Sequence, residues 1–166
     1  MSRGFVKEDD QEEAPLIPPR ASLPPGVTNY VTPHGLELLQ EELRSLDDAI
    51  HHLNEPDERE RRRALAQLNG KRNLLLKRIQ SARVLTHEQT PPDIRFGAHI
   101  TYTVDANPTP ITIQIVGVDE ASVPQQKIAF TAPIAKALIG KKPGEQVALE
   151  LGGTTRQLKV LEVTYS

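Results

Sequence analysis

The chain has 166 residues, no cysteine and a formal net charge of −2. This length allows one ordinary domain or two small ones, and the absence of cysteine excludes disulfides and thiolate metal sites. The small net charge excludes a strongly basic protein that coats nucleic acid. No apolar run reaches the roughly 20 residues of a membrane span, and the opening MSRGFVKEDD lacks the apolar centre of a signal peptide. We therefore expect a soluble, cytoplasmic protein that does not contact a membrane.

Residues 1–29 are predicted to form a disordered leader. The acidic stretch KEDDQEE is followed by APLIPPRASLPPG, in which apolar residues are sparse and prolines interrupt any helical or strand period. Paired prolines favour extended polyproline geometry, which is typical of a stiff linker. The pattern assigns no chemistry to this segment.

Residues 30–87 carry the pattern of two helices that fold back on each other. A first apolar stripe with alternating spacings of 3 and 4 comprises Leu36, Leu39, Leu43, Leu46, Ile50 and Leu53. A second stripe with similar spacing includes one arginine and comprises Leu65, Leu68, Arg72, Leu75, Ile79 and Ala82. Stripes of equal length predict an antiparallel coiled-coil hairpin with a shared seam of about 26 Å. A seam that is satisfied within one hairpin favours a monomer.

Capping residues indicate where the two helices begin and end. Thr32 is a suitable N-cap for the first helix, with Pro33 at the first helical position, where a missing N–H costs nothing. Pro56 is incompatible with a helix interior. We therefore predict that the first helix ends by Asn54 and that the turn follows there. Pro56 would then begin the second helix, with Asn54 or Glu55 as its cap.

The hydrophobic period changes to two in residues 93–166. The alternating segments are AHITYTV, PITIQIVGV, QKIAFTA, QVALEL and RQLKVLEVTY, separated by turns that contain Pro, Gly or Asn. A short helical segment, APIAKALIG, lies between the third and the fourth and ends at Gly140, a residue suited to the position just beyond a helix. The sequence therefore predicts an α+β fold, with a helical hairpin followed by a compact α+β domain.

Several of these stretches resemble the bacterial Gre family of transcript-cleavage factors, with its GreA-like and GreB-like members. In the second half the matching stretches are RFGAHITYTV, IVGVDEA, APIAKALIGKKPGEQV and LEVTY, in the family's order and spacing. In the first half they are YVTPHGLELLQEELRSL and KRIQSARVL, and the opening MSRGFVKEDD is similar to the leader of some GreB-type members. The resemblance implies an antiparallel coiled coil over residues 30–87 and an FKBP-like domain over residues 93–166. It also implies that the second domain docks on the rim of the secondary channel of bacterial RNA polymerase, with the hairpin pointing toward the polymerase active site.

The resemblance further implies a role for the acidic turn. In the family, an aspartate and a glutamate three residues later help the polymerase to hold a second Mg²⁺ ion and to orient a water molecule, and the polymerase then hydrolyses the backtracked transcript. Asp57 and Glu60 have this spacing, and Glu58 and Glu55 are the reserve candidates. On this interpretation the chain is not an enzyme and binds no metal or cofactor by itself. It lends carboxylates to the Mg²⁺ of the polymerase active site.

A purely structural explanation of the same turn stays open. Acidic residues in the first turn of a helix interact favourably with its positive end, by about 0.3–1 kcal/mol each. The turn also lacks the glycine of the family pattern and the residues that follow the acidic pair there. Each arm of the hairpin is shorter than in cleavage-competent members by around seven residues, or about 10 Å. An alternative function is therefore a non-cleaving regulator or inhibitor that occupies the same channel.

Other charged residues are candidates for binding the nascent transcript or the polymerase. A basic run after the turn comprises Arg59, Arg61, Arg62 and Arg63. It could neutralise phosphates of the nascent RNA or contact an acidic polymerase surface, although such a run is also typical of a solvated helix face. Asp119 and Glu120 match the docking domain of the family, while a turn at the end of a strand explains them as well.

Two other classes of function are compatible with the sequence. An FKBP-like fold also suits a peptidyl-prolyl isomerase or a peptide-binding module, but fold alone does not carry function. The aromatic residues of the domain are few: Phe96, Tyr102, Phe130 and Tyr165. A plain coiled-coil interaction protein would instead show no affinity for polymerase.

Overall fold

A computed structural model of the chain describes residues 13–166. The expectations for residues 1–12, which include most of the acidic stretch, lie outside the described residues. The described part contains three helices and seven strands, which confirms the predicted α+β class. None of the helices within this part combines the length and the apolar character needed to cross a bilayer.

A short strand and a long helix open the regular structure. β1 spans Asn29–Val31 and α1 spans Pro33–His51. Thr32 is the N-cap of α1, and its side-chain oxygen accepts a hydrogen bond from the Gly35 amide at 2.9 Å. This cap satisfies an amide that has no partner within the helix. The predicted start of the first helix is therefore confirmed, and its C-terminal end also lies within the predicted limit.

The second helix, α2, spans Glu58–Ser81 and begins later than predicted. Its N-cap is Asp57, whose carboxylate accepts a hydrogen bond from the Glu60 amide at 2.9 Å. The assignment of Asn54 or Glu55 as the cap, with Pro56 as the first helical residue, is therefore wrong. Pro56 precedes the cap instead, where its missing N–H removes no helical hydrogen bond.

α1 and α2 pack against each other along the part of the predicted apolar stripes that lies nearer the β1–β2 end of the helices. Leu39 and Leu75 are buried and form a cluster with Val31. Partly buried side chains extend this cluster: Leu36, Leu43, Leu46, Ile79 and Ala82. Arg72, the polar exception in the second stripe, places its Nε 2.6 Å from Asp47 Oδ1 on α1. Both side chains are partly open to solvent, so this ion pair contributes at most about 1 kcal/mol.

The base of the helix pair is closed by a small parallel sheet. β2, Ala82–Val84, follows α2 directly and pairs with β1. The Asn29 side-chain amide donates a hydrogen bond to the Arg78 carbonyl oxygen at 3.0 Å, which ties β1 to the end of α2. Three-residue strands are too short to show an alternating pattern, so the sequence does not predict this sheet. Asn29 belongs to it and not to the leader.

A five-stranded sheet forms the second part of the chain. Its strands are β3 His99–Val104, β4 Asn107–Val116, β5 Lys127–Ala129, β6 Gln146–Leu151 and β7 Thr154–Thr164. They lie in the order β5-β4-β3-β7-β6, and neighbours are antiparallel except for the parallel pair β4 and β5. Each strand overlaps one of the five segments predicted from the period of two.

One short helix completes the sheet domain. α3 spans Pro133–Leu138, and its Ala135 and Leu138 side chains are fully buried. Gly140 adopts a left-handed conformation with φ of 89°, as expected just beyond a helix end. The core that α3 covers includes Ile94, Ile100, Ile115, Leu158 and Val160.

Truncation of Leu75 tests whether the helix pair is held by its apolar contact. Leu75→Ala is expected to lower the free energy of unfolding by about 2–5 kcal/mol, because it removes buried contacts and leaves a cavity. Urea denaturation followed by circular dichroism measures the change. Leu38→Ala is the control, since Leu38 is exposed on α1 and its loss should change stability by only about 0.5 kcal/mol. Equal losses in the two variants would contradict the packing described above.

Candidate functional site

The turn between α1 and α2 lies at the end of the helix pair opposite to the β1–β2 sheet. α1 contains 19 residues, which places the turn about 28 Å along the helix axis from β1. Asp57, Glu58 and Glu60 are exposed there, and Glu55 is half-buried. The turn therefore presents a group of carboxylates to solvent, at a distance from both sheets.

Asp57 and Glu60 lie together in the first turn of α2. The hydrogen bond from the Glu60 amide to Asp57 Oδ1 fixes the backbone of these two residues relative to each other. A carboxylate has about four acceptor sites, so the cap leaves Asp57 with capacity for a further ligand. The Glu60 side chain approaches Arg63, with 3.4 Å between Oε1 and Nη1. The structure thus brings the predicted pair together, with both carboxylates already in contact with the chain itself.

Glu55 and Glu58 support the turn in different ways. Glu55 Oε1 accepts a hydrogen bond from the Asp57 amide at 3.1 Å, which orders the residues before the cap. Glu58 is the first residue of α2, where a negative charge interacts favourably with the positive end of the helix. Both residues therefore have a structural function that requires no metal.

The turn does not form a complete metal site by itself. Within residues 13–166, no group of three or more His, Cys, Asp or Glu side chains is arranged to hold a metal ion. Mg²⁺ often takes only one or two carboxylates from a protein and keeps several water molecules. Two exposed carboxylates such as those of Asp57 and Glu60 match that smaller number of protein ligands.

The arginines that follow the turn are exposed but do not all share one face. Arg59, Arg62 and Arg63 are three and four residues apart and therefore lie on the same side of α2. Arg61 lies between them in sequence and projects in another direction. The basic face at the start of α2 is therefore narrower than the sequence run suggests, and Arg63 within it contacts Glu60.

A second cluster of charges lies in residues 117–120, the junction loop after β4. The Glu120 side chain is only 3% exposed, and its Oε2 lies 3.2 Å from Lys127 Nζ. Its Oε1 accepts a hydrogen bond from the Thr32 hydroxyl. Because the same Thr32 oxygen accepts the hydrogen bond of the Gly35 amide, one side chain caps α1 and anchors it to the sheet domain.

Two glycines allow the backbone to approach closely at this junction. A β-carbon at Gly35 would lie 2.8 Å from Glu120 Oε1, and one at Gly117 would lie 2.5 Å from the Tyr30 carbonyl oxygen. A side chain at Gly117 would therefore collide with the backbone of β1, and one at Gly35 would displace the Glu120 carboxylate from Thr32.

Aromatic rings cover the same junction. Tyr30 of β1 contacts Phe96 and Phe130 of the sheet domain, with ring centroids 6.1 and 5.9 Å away, and these two phenylalanines contact each other at 5.6 Å. Such edge and tilted contacts are favourable arrangements for aromatic rings. These rings hold β1 against the sheet domain, and the isomerase alternative gains no support from them.

Asp119 connects the junction loop to two arginines. Arg20 Nη2 lies 3.0 Å from Asp119 Oδ1, and Arg78 Nε of α2 lies 3.4 Å from Oδ2. Arg20 also donates two hydrogen bonds to Glu42 of α1, at 2.7 and 2.9 Å. The hydrogen bond to Glu42, together with the charge of Asp119, raises the pKa of Arg20 against the opposing effect of burial. Arg20 thus stays charged and links separate parts of the chain.

These contacts involve two residues that the sequence predicts to take part in docking. Asp119 and Glu120 have partners within the chain, and their role in docking to polymerase stays a prediction. Sequence reasoning missed Arg20, whose partners Glu42 and Asp119 are 22 and 99 residues away. No local pattern connects positions at such separations, and an arginine in a proline-rich leader is a weak signal.

Comparison with known proteins gives matches to one family. The family model described as "Transcription elongation factor, GreA/GreB, C-term" matches residues 89–165. The GreA of Acidiphilium cryptum is 38% identical over 88 residues, covering 52% of this chain and 56% of the relative. The chain thus spans about half the length of the first curated relatives it matches. The match to the GreA of Brucella canis is longer, with 30% identity over 151 residues that cover 81% of this chain and 96% of the relative.

Solved structures with similarity to the chain carry related descriptions. The GreA factor homolog 1 of Thermus thermophilus is 20% identical, with 83% of this chain and 99% of that chain covered and a TM-score of 0.39. The GreA/GreB elongation factor of Nitrosomonas europaea is 20% identical, with 84% and 99% covered and a TM-score of 0.42.

Neutralising Glu120 tests whether its carboxylate holds the junction. Glu120→Gln is expected to lower the free energy of unfolding by about 1–3 kcal/mol, because the partly buried Lys127 loses its counter-charge while the shape of the site is kept. Urea denaturation gives the difference. Glu150→Gln, at an exposed position of β6, is the matched control and should change stability by about 0.5 kcal/mol or less. An unchanged stability of Glu120→Gln would contradict the assigned role.

Proposed function

This chain belongs to the GreA/GreB family of transcription elongation factors, and we propose on that basis that it is an accessory factor of bacterial RNA polymerase. In this proposal the sheet domain docks at the rim of the polymerase secondary channel, and the helix pair enters the channel with the acidic turn leading. The factor stimulates the polymerase's own cleavage of backtracked transcripts and is not itself an enzyme.

In this proposal the helix pair and the sheet domain correspond to the two domains of the family. The helix pair is taken as an antiparallel coiled coil, which the Leu39–Leu75 contact and the paired stripes support. The sheet domain is taken as an FKBP-like domain, which is compatible with its five-stranded sheet and the α3 helix packed on the core. The connection at Thr32 and Glu120 would transmit the docked position of the sheet domain to the helix pair.

The observation that carries the proposal is the exposed acidic pair at the outer end of the helix pair. A Mg²⁺ ion bound there together with the polymerase would activate water and stabilise charge on the scissile phosphate. Asp57 would offer an oxygen from a side chain that is already ordered by the cap, so little conformational freedom would be lost on binding. Glu60 would offer a second oxygen from the same helix turn.

The contact between Glu60 and Arg63 has to open for this function. Both side chains are exposed, and exposed ion pairs contribute only about 0–1 kcal/mol. A metal ion or a transcript phosphate can therefore displace either partner at small cost. Once released, Arg63 would lie on the same face as Arg59 and Arg62, where phosphates of the nascent RNA could be bound.

A second candidate function is a regulator that occupies the channel without stimulating cleavage. It is favoured by the engagement of both carboxylates within the chain, since Asp57 caps α2 and Glu60 contacts an arginine. A helix of 19 residues also limits how far the turn projects, to about 28 Å. If the turn stops short of the catalytic metal, its carboxylates act only on the polymerase surface nearby.

Removal of the two charges distinguishes the functions. In a cleavage assay on a stalled, backtracked elongation complex, Asp57→Asn combined with Glu60→Gln is expected to reduce stimulated cleavage at least about tenfold, as loss of metal ligands would. Asparagine caps a helix as well as aspartate does, so the variant keeps the turn intact. Circular dichroism and polymerase binding verify this.

Glu58→Gln is the matched control, because it removes a neighbouring charge outside the pair. Its cleavage activity should stay close to that of the wild type. Stimulation that survives in the double variant would show that the acidic pair is wrongly assigned. A wild-type protein that binds polymerase but stimulates no cleavage would identify the non-cleaving regulator instead.

A further inference from the structure

The leader segment of residues 15–23 lies along α2 and is bound at several points. The Gln67 side-chain amide donates a hydrogen bond to the Leu16 carbonyl oxygen at 3.5 Å, and Arg78 Nη2 donates one to the Ala21 carbonyl oxygen at 2.6 Å. Both donors belong to α2, more than two helical turns apart. The segment therefore runs along α2 over more than two helical turns.

Between these hydrogen bonds, the Ile17 side chain occupies a notch in α2 formed by Gly70. A β-carbon at Gly70 would lie 1.9 Å from Ile17 Cδ1 and 2.7 Å from Cγ1. Glycine in a helix interior is unfavourable relative to alanine, but at position 70 its lack of a β-carbon leaves the space that Ile17 occupies. An apolar cleft of about 750 Å³ lies beside this contact, lined by Ile17 and Leu23 of the leader and by Leu74 of α2.

The segment reaches beyond α2 through a single side chain. The Arg20 guanidinium binds Glu42 on α1 and Asp119 in the junction loop. Arg78 Nε of α2 lies 3.4 Å from the other oxygen of Asp119, which accepts no hydrogen bond from residues 13–166. The side chains of Arg20 and Asp119 are 18% and 7% exposed, so this contact is largely removed from solvent, while Glu42 is 44% exposed. One residue of the leader thus contacts the helix pair and the sheet domain at the same time.

We infer that residues 15–23 form a strap that fixes the direction of the helix pair relative to the sheet domain. Without it, β1–β2 and the junction loop connect the two parts at the base of the helices. The strap is held on α2 at Gln67 and Gly70 and on α1 at Glu42. It reaches the sheet domain at Asp119 and therefore adds a second connection between the two parts. Pro18 and Pro19 stiffen the strap, since proline has few conformations to lose. Arg20 is its positioning residue.

The inference concerns the free protein and does not rest on binding to polymerase. It predicts two properties that a structureless leader would lack. Removing the Arg20 contacts should widen the range of orientations between helix pair and sheet domain. Filling the Gly70 notch should release the strap from α2 without weakening the helix.

Spin-label distances test the first property, and the absence of cysteine makes site-specific labelling direct. Labels at Ala49→Cys on α1 and Thr155→Cys on β7, both exposed positions, report the orientation of the two parts. Arg20→Gln is expected to broaden or shift the distance distribution, while Arg44→Gln, a control on the exposed side of α1, leaves it unchanged. An unaltered distribution in Arg20→Gln would overturn the inference.

Limited trypsin digestion tests the second property, because trypsin cleaves after Arg20 only when the strap has left its site. Gly70→Ala is expected to raise the rate at which the fragment beginning with Ala21 forms by about tenfold, since the loss of the Ile17 contact increases the released population. Asn69→Ala is the control: it also favours the helix, but at an exposed position outside the notch. Equal rates in the two variants would likewise overturn the inference. Circular dichroism distinguishes strap release from unfolding of α2.

Discussion

The architecture depends on a buried carboxylate at the junction of the helix pair and the sheet domain. Glu120 is tolerable there only because Thr32 donates a hydrogen bond to one oxygen and Lys127 lies beside the other. Thr32 is also the N-cap of α1, so the same side chain begins the helix and attaches it to the sheet domain. Gly35 and Gly117 allow this approach because neither carries a β-carbon.

The junction gives the acidic turn a defined place relative to the sheet domain. The turn lies about one α1 length away, and it contributes almost nothing to the core. Its carboxylates make only exposed contacts with the described residues of the chain, while the side chains of Asp119 and Glu120 are largely buried and paired within the chain. The proposed chemistry lies in the acidic turn, which contributes little to the stability of the fold. The charges that support the junction, those of Asp119 and Glu120, lie on largely buried side chains.

Local signals explain which features could be predicted from the sequence. The Thr32 cap, the paired apolar stripes and the five alternating segments each depend on neighbouring residues, and the structure has them where the patterns indicate. The cap of α2 is predicted wrongly because Pro56 suits the first helical position and moves the expected cap to Asn54 or Glu55. The Asp-x-x-Glu spacing of Asp57 and Glu60 is instead the local signature of the observed start. The Thr32–Glu120 contact spans 88 residues and the Arg20–Asp119 contact 99. Neither contact produces a periodic sequence pattern, so the junction and the strap cannot be predicted from the sequence alone.

The most direct test of the junction is the cooperativity of unfolding in the wild-type protein. Far-ultraviolet circular dichroism reports mainly on α1 and α2, while fluorescence of the three tyrosines, in a chain without tryptophan, reports on the sheet domain and its contact with β1. If the buried junction couples the two parts, both signals should change in one urea transition with the same midpoint. Two separate transitions, with the helix pair melting while the tyrosine signal stays native, would contradict the account.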